Sequence, residues 1–157
     1  MIVLVVTVSD RASQGIYEDK SGPEVEKIFK QHFPESSSSI SCIVIPDSTE
    51  TIEKTFRSNL SSDVIITTGG TGIGPNDKTP DITEKYCDYL IPGISEYLRR
   101  ESCKQTINAV ISRGTAGIKN KTIIINLPGS VKGARFCAEL LVLVLPHALK
   151  MLRGKGH

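Results

Sequence analysis

Along the chain, short β-branched apolar runs alternate with longer stretches in which apolar residues recur at helical spacing. Ile2 to Val8 is continuous and apolar, the mark of a strand buried on both faces. The polar stretch Ser9-Asp10-Arg11-Ala12-Ser13-Gln14-Gly15 reads as loop. Ser21-Gly22-Pro23-Glu24 has the form of a capping box, with Ser21 at the N-cap, and Val25, Ile28, Phe29 and Phe33 mark one face of the helix it opens. Pro34 ends that helix, and the serine run from Ser36 to Ser39 reads as solvated loop. Ile40 to Ile45 predicts a second strand, closed by Pro46-Asp47. Ser48 or Thr49 then caps a helix carrying Ile52, Phe56 and Leu60. Asp63 to Thr68 predicts the third strand, which leads into a glycine-rich turn. Thr79-Pro80-Asp81 supplies N-cap, N1 and N2 of the next helix, Pro92-Gly93 breaks it, and Ile94, Tyr97 and Leu98 mark another. Ala109 to Ser112 predicts a short strand, and Thr122 to Leu127 a buried one that ends in Pro128-Gly129-Ser130. Gly133 to Leu152 is helical in character, with a kink or break near Pro146.

Strands alternating with helices argue for an α/β fold on a mostly parallel sheet. No repeat or linker divides residues 1–157, a length that fits one domain around a single sizeable core. In such sheets ligands bind at the carboxyl ends of the strands. Ser9-Asp10, Pro46-Asp47, Gly69 to Asp77 and Pro128 to Lys132 all follow predicted strands, and their convergence would make one site.

Composition narrows the partners. Apolar residues make up 39% of the chain and charged residues 23%, as in soluble globular proteins. The net charge is +2 and no long block of Lys or Arg occurs, so nucleic acid is not an expected partner, although a small anion needs only a local basic site. Cys42, Cys87, Cys103 and Cys137 are widely spaced without a C-x-x-C pair, which weakens zinc and thioredoxin-like readings. Met1 to Val8 lacks a basic n-region and a cleavage site and is too short to span a membrane. The expectation is a cytoplasmic protein with reduced cysteines and no membrane partner.

The richest chemistry lies in Thr67-Thr68-Gly69-Gly70-Thr71-Gly72-Ile73-Gly74-Pro75-Asn76-Asp77-Lys78-Thr79-Pro80-Asp81. A strand, a glycine-rich turn and a helix start form a place where backbone N–H groups and the helix dipole hold phosphates. The glycines fit neither G-x-G-x-x-G nor the P-loop, because Pro75-Asn76 replace the Lys and Ser/Thr of the latter. Taken as glycines alone, a structural turn and an anion site fit equally well; the hydroxyls of Thr68, Thr71 and Thr79 tilt towards the anion. Asp47 and Asp77 each follow a strand end and read either as turn formers or as a pair that holds Mg²⁺ against a triphosphate. Asp81 is a favourable charge in a first helical turn. Pro128 to Ala134 repeats the strand–turn–helix logic, with Ser130 and Lys132 as anion-facing groups or as a bare turn. His32, His147 and His157 form no set with Ser, Asp or Cys, so covalent catalysis is disfavoured.

These segments together resemble one family. Thr7-Val8-Ser9-Asp10, Glu18 to Gly22, Ile45-Pro46-Asp47, Thr67 to Asp81, Ser112-Arg113, Gly117-Ile118, Lys121 to Gly133, Leu145 to Ala148 and Leu152-Arg153 are similar, in the same order, to the molybdopterin adenylyltransferases of molybdenum-cofactor biosynthesis, which include the G domain of gephyrin. The run Gly-Gly-Thr-Gly before an acidic residue and Thr-Pro, with Asn-Leu-Pro-Gly-Ser later, is specific. The chain departs from the family at Asn76, where Arg is usual, at Lys78, where Val is usual, and at Asp81, where Glu is frequent. Lys78 returns a positive charge on the other side of Asp77.

The resemblance implies a three-layer, doubly wound α/β fold with helices on both faces of the sheet, a homotrimer, and a molybdenum-insertion protein as a further partner. It implies transfer of AMP from Mg-ATP to the phosphate of molybdopterin. Asp47 and Asp77 match the family's carboxylates and are assigned to Mg²⁺ and catalysis. Thr68, Gly69, Gly70, Thr71, Gly72 and Thr79 are assigned to the nucleotide, and Ser9, Arg113, Pro128, Gly129, Ser130 and Lys132 to the pterin or its phosphate. Two alternatives share the pattern. One is a nucleotide pyrophosphatase of the competence-damage-inducible type, disfavoured by Thr71-Gly72 and by Asn126 to Lys132. The other is a non-catalytic molybdopterin carrier or scaffold, disfavoured by the presence of both Asp47 and Asp77.

Overall fold

The computed structural model describes residues 1–154; His157 lies outside them. The apolar runs form strands β1 (Val3–Val8), β2 (Ile40–Ile45), β3 (Val64–Thr68), β4 (Tyr89–Leu90), β5 (Ala116–Lys119) and β6 (Thr122–Leu127). Helices α1 (Asp10–Ser13), α2 (Ser21–His32), α3 (Thr49–Ser58), α4 (Thr79–Tyr86), α5 (Pro92–Cys103) and α6 (Val131–Leu152) connect and cover them. The strands build one six-stranded sheet in the order β2-β1-β3-β6-β5-β4. The first four in that order are parallel, with Val3 opposite Ile40 and Val64, and Val64 opposite Ile123. β5 and β4 continue the sheet antiparallel to their neighbours.

Alternation along each central strand sends side chains to two cores, which makes the three layers. Val3, Val5, Ile66 and Ile125 pack under α2, α5 and α6 with Phe29, Leu98 and Leu141. Leu4, Val6, Ile65 and Ile124 pack on the other face with Ile52 and Phe56 of α3 and Ile82 of α4. Each such fully buried side chain contributes about 1.5–3 kcal/mol, so burial on both faces dictates the register of the parallel strands. The four cysteines are free. Among the described residues no helix is long and apolar enough to cross a membrane.

Several local expectations are corrected. Residues 10–13 form α1 rather than loop, because the Ser9 hydroxyl accepts the Ala12 N–H and caps a single turn. Ser21 lies inside α2 and the capping box is not made. Asp19 caps the helix instead, its carboxylate accepting the N–H of Ser21 at 3.0 Å and of Gly22 at 3.4 Å. The serine run belongs to a 3₁₀ segment, Pro34–Ser39, with Ser36 buried against the N-terminal amine. Leu60 lies beyond the end of α3. Thr79 is the first residue within α4, not its cap, and Pro92 stands at the start of α5.

Residues 107–111 form a 3₁₀ turn, Ile107–Ile111, in place of the strand expected over Ala109 to Ser112. The strands β4 and β5 lack the long β-branched runs that announce the others. Gly117 in β5 sits where a Cβ would meet the Cys87 sulfur at 2.7 Å. α6 runs unbroken through Pro146. Leu141, Val142, Leu145 and Leu149 are buried on both sides of the proline, and their burial outweighs its cost of about 3 kcal/mol.

Asp63 ties the two ends of the described chain together. Its carboxylate accepts the Ile2 N–H at 2.7 Å and the Arg153 guanidinium. Burial alone would raise its pKa, but the Ile2 amide, Arg153 and the N-terminal amine hold it below the ordinary carboxylate value. Its contribution is therefore fully present above the unfolded-state value near 3.9 and is lost as pH falls through the lower folded-state value. Because solvent screens this partly exposed group, Asp63→Asn should lower the unfolding free energy by no more than about 1 kcal/mol at neutral pH. In urea titrations the gap to the wild type should begin to narrow as the pH falls below about 4 and should close only below the folded-state value.

Candidate active site

Four adjacent parallel strands place their carboxyl ends side by side, so the segments after β1, β2, β3 and β6 meet along one edge. The Ser9 N–H donates to the Ile45 carbonyl at 3.0 Å, and the Gly69 N–H to the Leu127 carbonyl at 3.2 Å, extending each ladder by one rung. Gly69 has φ +98°, and a Cβ there would lie 2.5 Å from the Val8 carbonyl oxygen. The turn after β6 closes from the other side, with Gly129 stacked on the Gly69 Cα. The glycine-rich turn is thus wedged between the ends of β1 and β6.

On one side of the turn lie carboxylates. The Asp47 N–H donates to Asp10 Oδ1 at 2.8 Å, which brings Asp10 beside Asp47. Asp77 Oδ2 accepts the Gly74 N–H at 2.8 Å and leans over Gly72, where a Cβ would lie 2.7 Å from it. The Asp47 carboxyl is pushed above its ordinary pKa by burial first and then by the Asp10 and Asp77 carboxylates; Lys78 partly offsets them. Gly70, with φ +62°, faces Thr79: a Cβ at Gly70 would sit 2.4 Å from Thr79 Oγ1 and 3.7 Å from Asp47 Oδ2. Thr79 Oγ1 is buried without a hydrogen-bond partner. Excess negative charge beside an orphaned hydroxyl is an all-oxygen donor set that suits a hard cation such as Mg²⁺. Among the described residues no three His, Cys, Asp or Glu side chains cluster to hold a metal by themselves. Mg²⁺ at Asp47 and Asp77 would therefore draw further oxygens from a ligand phosphate or water, its usual habit.

On the other side of the turn is a cavity of about 380 Å³. Thr71 and Gly72 form one wall, and Pro128, Ser130 and Lys132 at the start of α6 form another. Leu98, Ile125, Phe136 and Cys137 give it an apolar floor, while Ser102, Ser112, Thr115 and Asn126 give it hydrogen-bonding edges. The Ser95 hydroxyl also lines it and is buried without a partner. Ser130 caps α6, accepting the Gly133 N–H at 3.2 Å, so the helix N-terminus and the Lys132 charge lie at the same edge.

The residues singled out by sequence therefore separate into groups. Asp47, Asp77, Gly70 and Thr79 meet on the carboxylate side. Thr71, Gly72, Pro128, Ser130 and Lys132 meet at the cavity, and Gly69 and Gly129 stack between. Three side chains do not face either space in the expected way. The Thr68 hydroxyl is buried and bonds to Ser21 Oγ at 3.0 Å and Thr7 Oγ1 at 3.2 Å. Ser9 Oγ caps α1 and bonds to Tyr17 at 3.0 Å. Arg113 is committed to the glycine-rich segment, with Nε on the Gly72 carbonyl at 2.9 Å, Nη2 on the Asp77 carbonyl, and both terminal nitrogens on Asp81. Hydrogen bonding from Arg113 holds the Asp81 carboxyl below its ordinary pKa. Asp81 is thus an ion-pair partner besides a charge in the first turn of α4.

Sequence reasoning gave no role to Asp10, Asp19 or Asn126. Asp19 accepts the Thr7 hydroxyl at 2.6 Å and so supports Thr68 from one face of the sheet. Asn126 supports Thr67 from the other face, donating to Thr67 at 3.0 Å and Thr83 at 2.9 Å. The local signal for Asn126 was a polar residue inside an apolar strand, and for Asp19 a carboxylate just ahead of a helix start.

Residues 4–147 match the family described as "Probable molybdopterin binding domain". The chain is 37% identical over 153 residues to the molybdopterin adenylyltransferase of Helicobacter pylori, covering 96% of this chain and 86% of that one. It is 39% identical over 163 residues to gephyrin of Dictyostelium discoideum, covering 98% of this chain but 23% of gephyrin. A solved structure of MogA superposes with a TM-score of 0.89 at 39% identity, covering 97% of this chain and 99% of that one.

The wedge at Gly69 yields a prediction with an internal control. Gly15 has φ +72° and nothing near its missing side chain, whereas Gly69 combines φ +98° with a backbone oxygen in the way. Gly15→Ala should cost about 1 kcal/mol, the conformational part alone. Gly69→Ala should cost about 3 kcal/mol or more, because a carbonyl in a parallel ladder cannot step aside. Urea denaturation of the two variants measures the difference, and equal losses would refute the wedge.

Proposed function

The chain belongs to this molybdopterin-binding family, and from that membership we propose that it is a molybdopterin adenylyltransferase, transferring AMP from Mg-ATP to the molybdopterin phosphate. The observation that carries this reading is the division of one glycine-rich turn into two anion-handling sides. Carboxylates with an orphaned hydroxyl lie on one side, and a cavity edged by a helix N-terminus and Lys132 lies on the other. A flat, donor- and acceptor-rich pterin suits the cavity's apolar floor and hydroxyl-bearing edges, with its phosphate at the start of α6. Nucleotide phosphates suit the side of Gly70, Thr79, Asp47 and Asp77.

An oxygen of the molybdopterin phosphate attacks the α-phosphorus of ATP, the α–β P–O bond breaks, and pyrophosphate leaves with the electron pair. The attacking oxygen is already anionic, so no side-chain nucleophile is required. The residues' work is alignment and neutralisation of two polyanions. Mg²⁺ bound by Asp47 and Asp77 would offset the charge that gathers on the nucleotide phosphates. Gly69 to Gly72 let the backbone approach both substrates from opposite faces, and Ser130 and Lys132 hold the acceptor phosphate. Lys78, on the other side of Asp77 from Asn76, supplies a cation that acts on Asp47 in place of the charge of the family's usual Arg.

One domain carries both half-sites in this reading. A cytoplasmic homotrimer belongs to the same proposal, supported by the exposed Ile107, Val110 and Ile111, which offer apolar surface of the kind that subunit contacts cover. A molybdenum-insertion protein is the expected recipient of the adenylated product.

A single-turnover assay with molybdopterin and Mg-ATP tests the reaction. Formation of adenylated molybdopterin and pyrophosphate is expected; binding of molybdopterin without product would leave a carrier. Release of AMP from a nucleotide sugar without pterin would instead point to a pyrophosphatase. Asp77→Asn keeps an oxygen for the Gly74 N–H but loses the charge. It should reduce adenylyl transfer by about 100-fold or more with molybdopterin affinity retained, and equal loss of both would contradict the alignment role.

A further inference from the structure

Arg113 looks like a ligand-binding arginine in sequence, yet its surroundings give it different work. Its backbone N–H donates to the Thr71 carbonyl at 2.9 Å. Its side chain places Nε on the Gly72 carbonyl at 2.9 Å and one Nη2 hydrogen on the Asp77 carbonyl. Nη1 and the other Nη2 hydrogen hold Asp81 Oδ1 and Oδ2, each at 2.9 Å. Of the five N–H donors a guanidinium has, these contacts occupy all but one. They grip the glycine-rich segment at the adjacent residues Thr71 and Gly72 and at Asp77, the residue that carries the candidate metal carboxylate.

The segment that carries Arg113 is itself anchored. Arg99 of α5 donates from Nε to the Ser112 carbonyl at 2.8 Å and from Nη2 to the Gly114 carbonyl at 3.1 Å. Ser112 and Gly114 line the cavity. A chain of charge-assisted hydrogen bonds thus runs from α5 through the cavity wall to Asp77. The stretch from Gly72 to Asp77 has no regular secondary structure, and glycines give it ample freedom to leave the productive geometry. Its internal bonds, Gly74 N–H to Asp77 Oδ2 and Asp77 N–H to the Gly74 carbonyl, close the turn on itself but do not fix it to the rest of the protein.

We infer that Arg113 is a positioning residue that sets Asp77 from the cavity wall, through carbonyls and Asp81, and makes no contact with either substrate. Its activity arm rests on the adenylyl-transfer reading; its exchange arm does not. In the free protein, amide hydrogen exchange across residues 72–77 should rise in Arg113→Ala and in Asp81→Ala, with the rest of the protein unchanged. Unchanged exchange in this segment overturns the inference, whether or not AMP is transferred.

In the transfer assay, Arg113→Ala should lower kcat by about 100-fold, with KM for molybdopterin and ATP within about twofold of the wild type. Asp81→Ala, an exposed change that does not threaten folding, should reproduce part of that loss. The double variant should be no worse than Arg113→Ala, because both changes release the same contact. If Arg113 held a substrate phosphate, KM would rise with kcat retained, and Asp81→Ala would free the guanidinium and leave affinity unchanged or tighter. That pattern refutes the positioning role. A wild type that transfers no AMP would defeat the functional reading while exchange still decides this one.

Discussion

The Gly69–Gly70 backbone is the constraint on which the rest of the site depends. Both residues have φ in the left-handed region, and the Val8 carbonyl and the Thr79 side chain occupy the space a Cβ would need. Only a residue without a side chain lets the chain leave β3 between the ends of β1 and β6 and still enter α4 with Thr79 buried. Because the turn passes between its neighbours instead of over them, it becomes a thin partition. Carboxylates gather on one side and a cavity opens on the other, separated by little more than a peptide backbone.

A partition of glycines has no stiffness of its own, so rigidity comes from behind and from the side. Two buried polar networks grip the last residues of β3 from opposite faces. Asp19, Thr7, Ser21 and Thr68 form one, and Asn126, Thr67 and Thr83 form the other. Such groups are costly to bury unless satisfied, and once satisfied they specify a single arrangement. Arg113 and Arg99 supply the lateral grip. The groups left unsatisfied, Thr79 Oγ1 and Ser95 Oγ, lie where a ligand would complete them: one on the carboxylate side and one in the cavity. The turn is therefore held in place by the networks behind it, and the faces in front of it are left open.

How much of this could be read from the chain depended on range. β1, β3 and β6 were legible because their β-branched runs are buried on both faces, the edge strand β2 because its run is mostly apolar, and α3 because Ser48 caps an amphipathic pattern. β4 and β5 were not: β4 is two exposed residues defined only by pairing with β5, and Ala116-Gly117 has no strand preference of its own. The cap of α2 was misplaced by a short distance because Ser21 and Asp19 offer the same chemistry, and only tertiary contact with Thr7 favours the carboxylate. The convergence of the four strand ends was legible, because parallel topology dictates it. The direction of individual side chains within that convergence was not.

Arg113, Thr68 and Ser9 illustrate why. Each is a residue type that binds anions, and each stands beside a glycine-rich turn, so local chemistry alone assigns it to a ligand. Backbone carbonyls, however, compete for the same donors, and a glycine-rich turn exposes many of them without side chains to shield them. A cation near such a turn therefore divides between ligand and loop according to how many carbonyls it can reach at once. The planar fork of arginine reaches several, and at position 113 it meets two carbonyls and a carboxylate; Lys78 and Lys132, with a single flexible ammonium each, cannot make that set of contacts. The same geometry that makes arginine a good phosphate ligand makes it the residue most readily captured by the loop, which leaves the lysines as the cations free to follow a substrate.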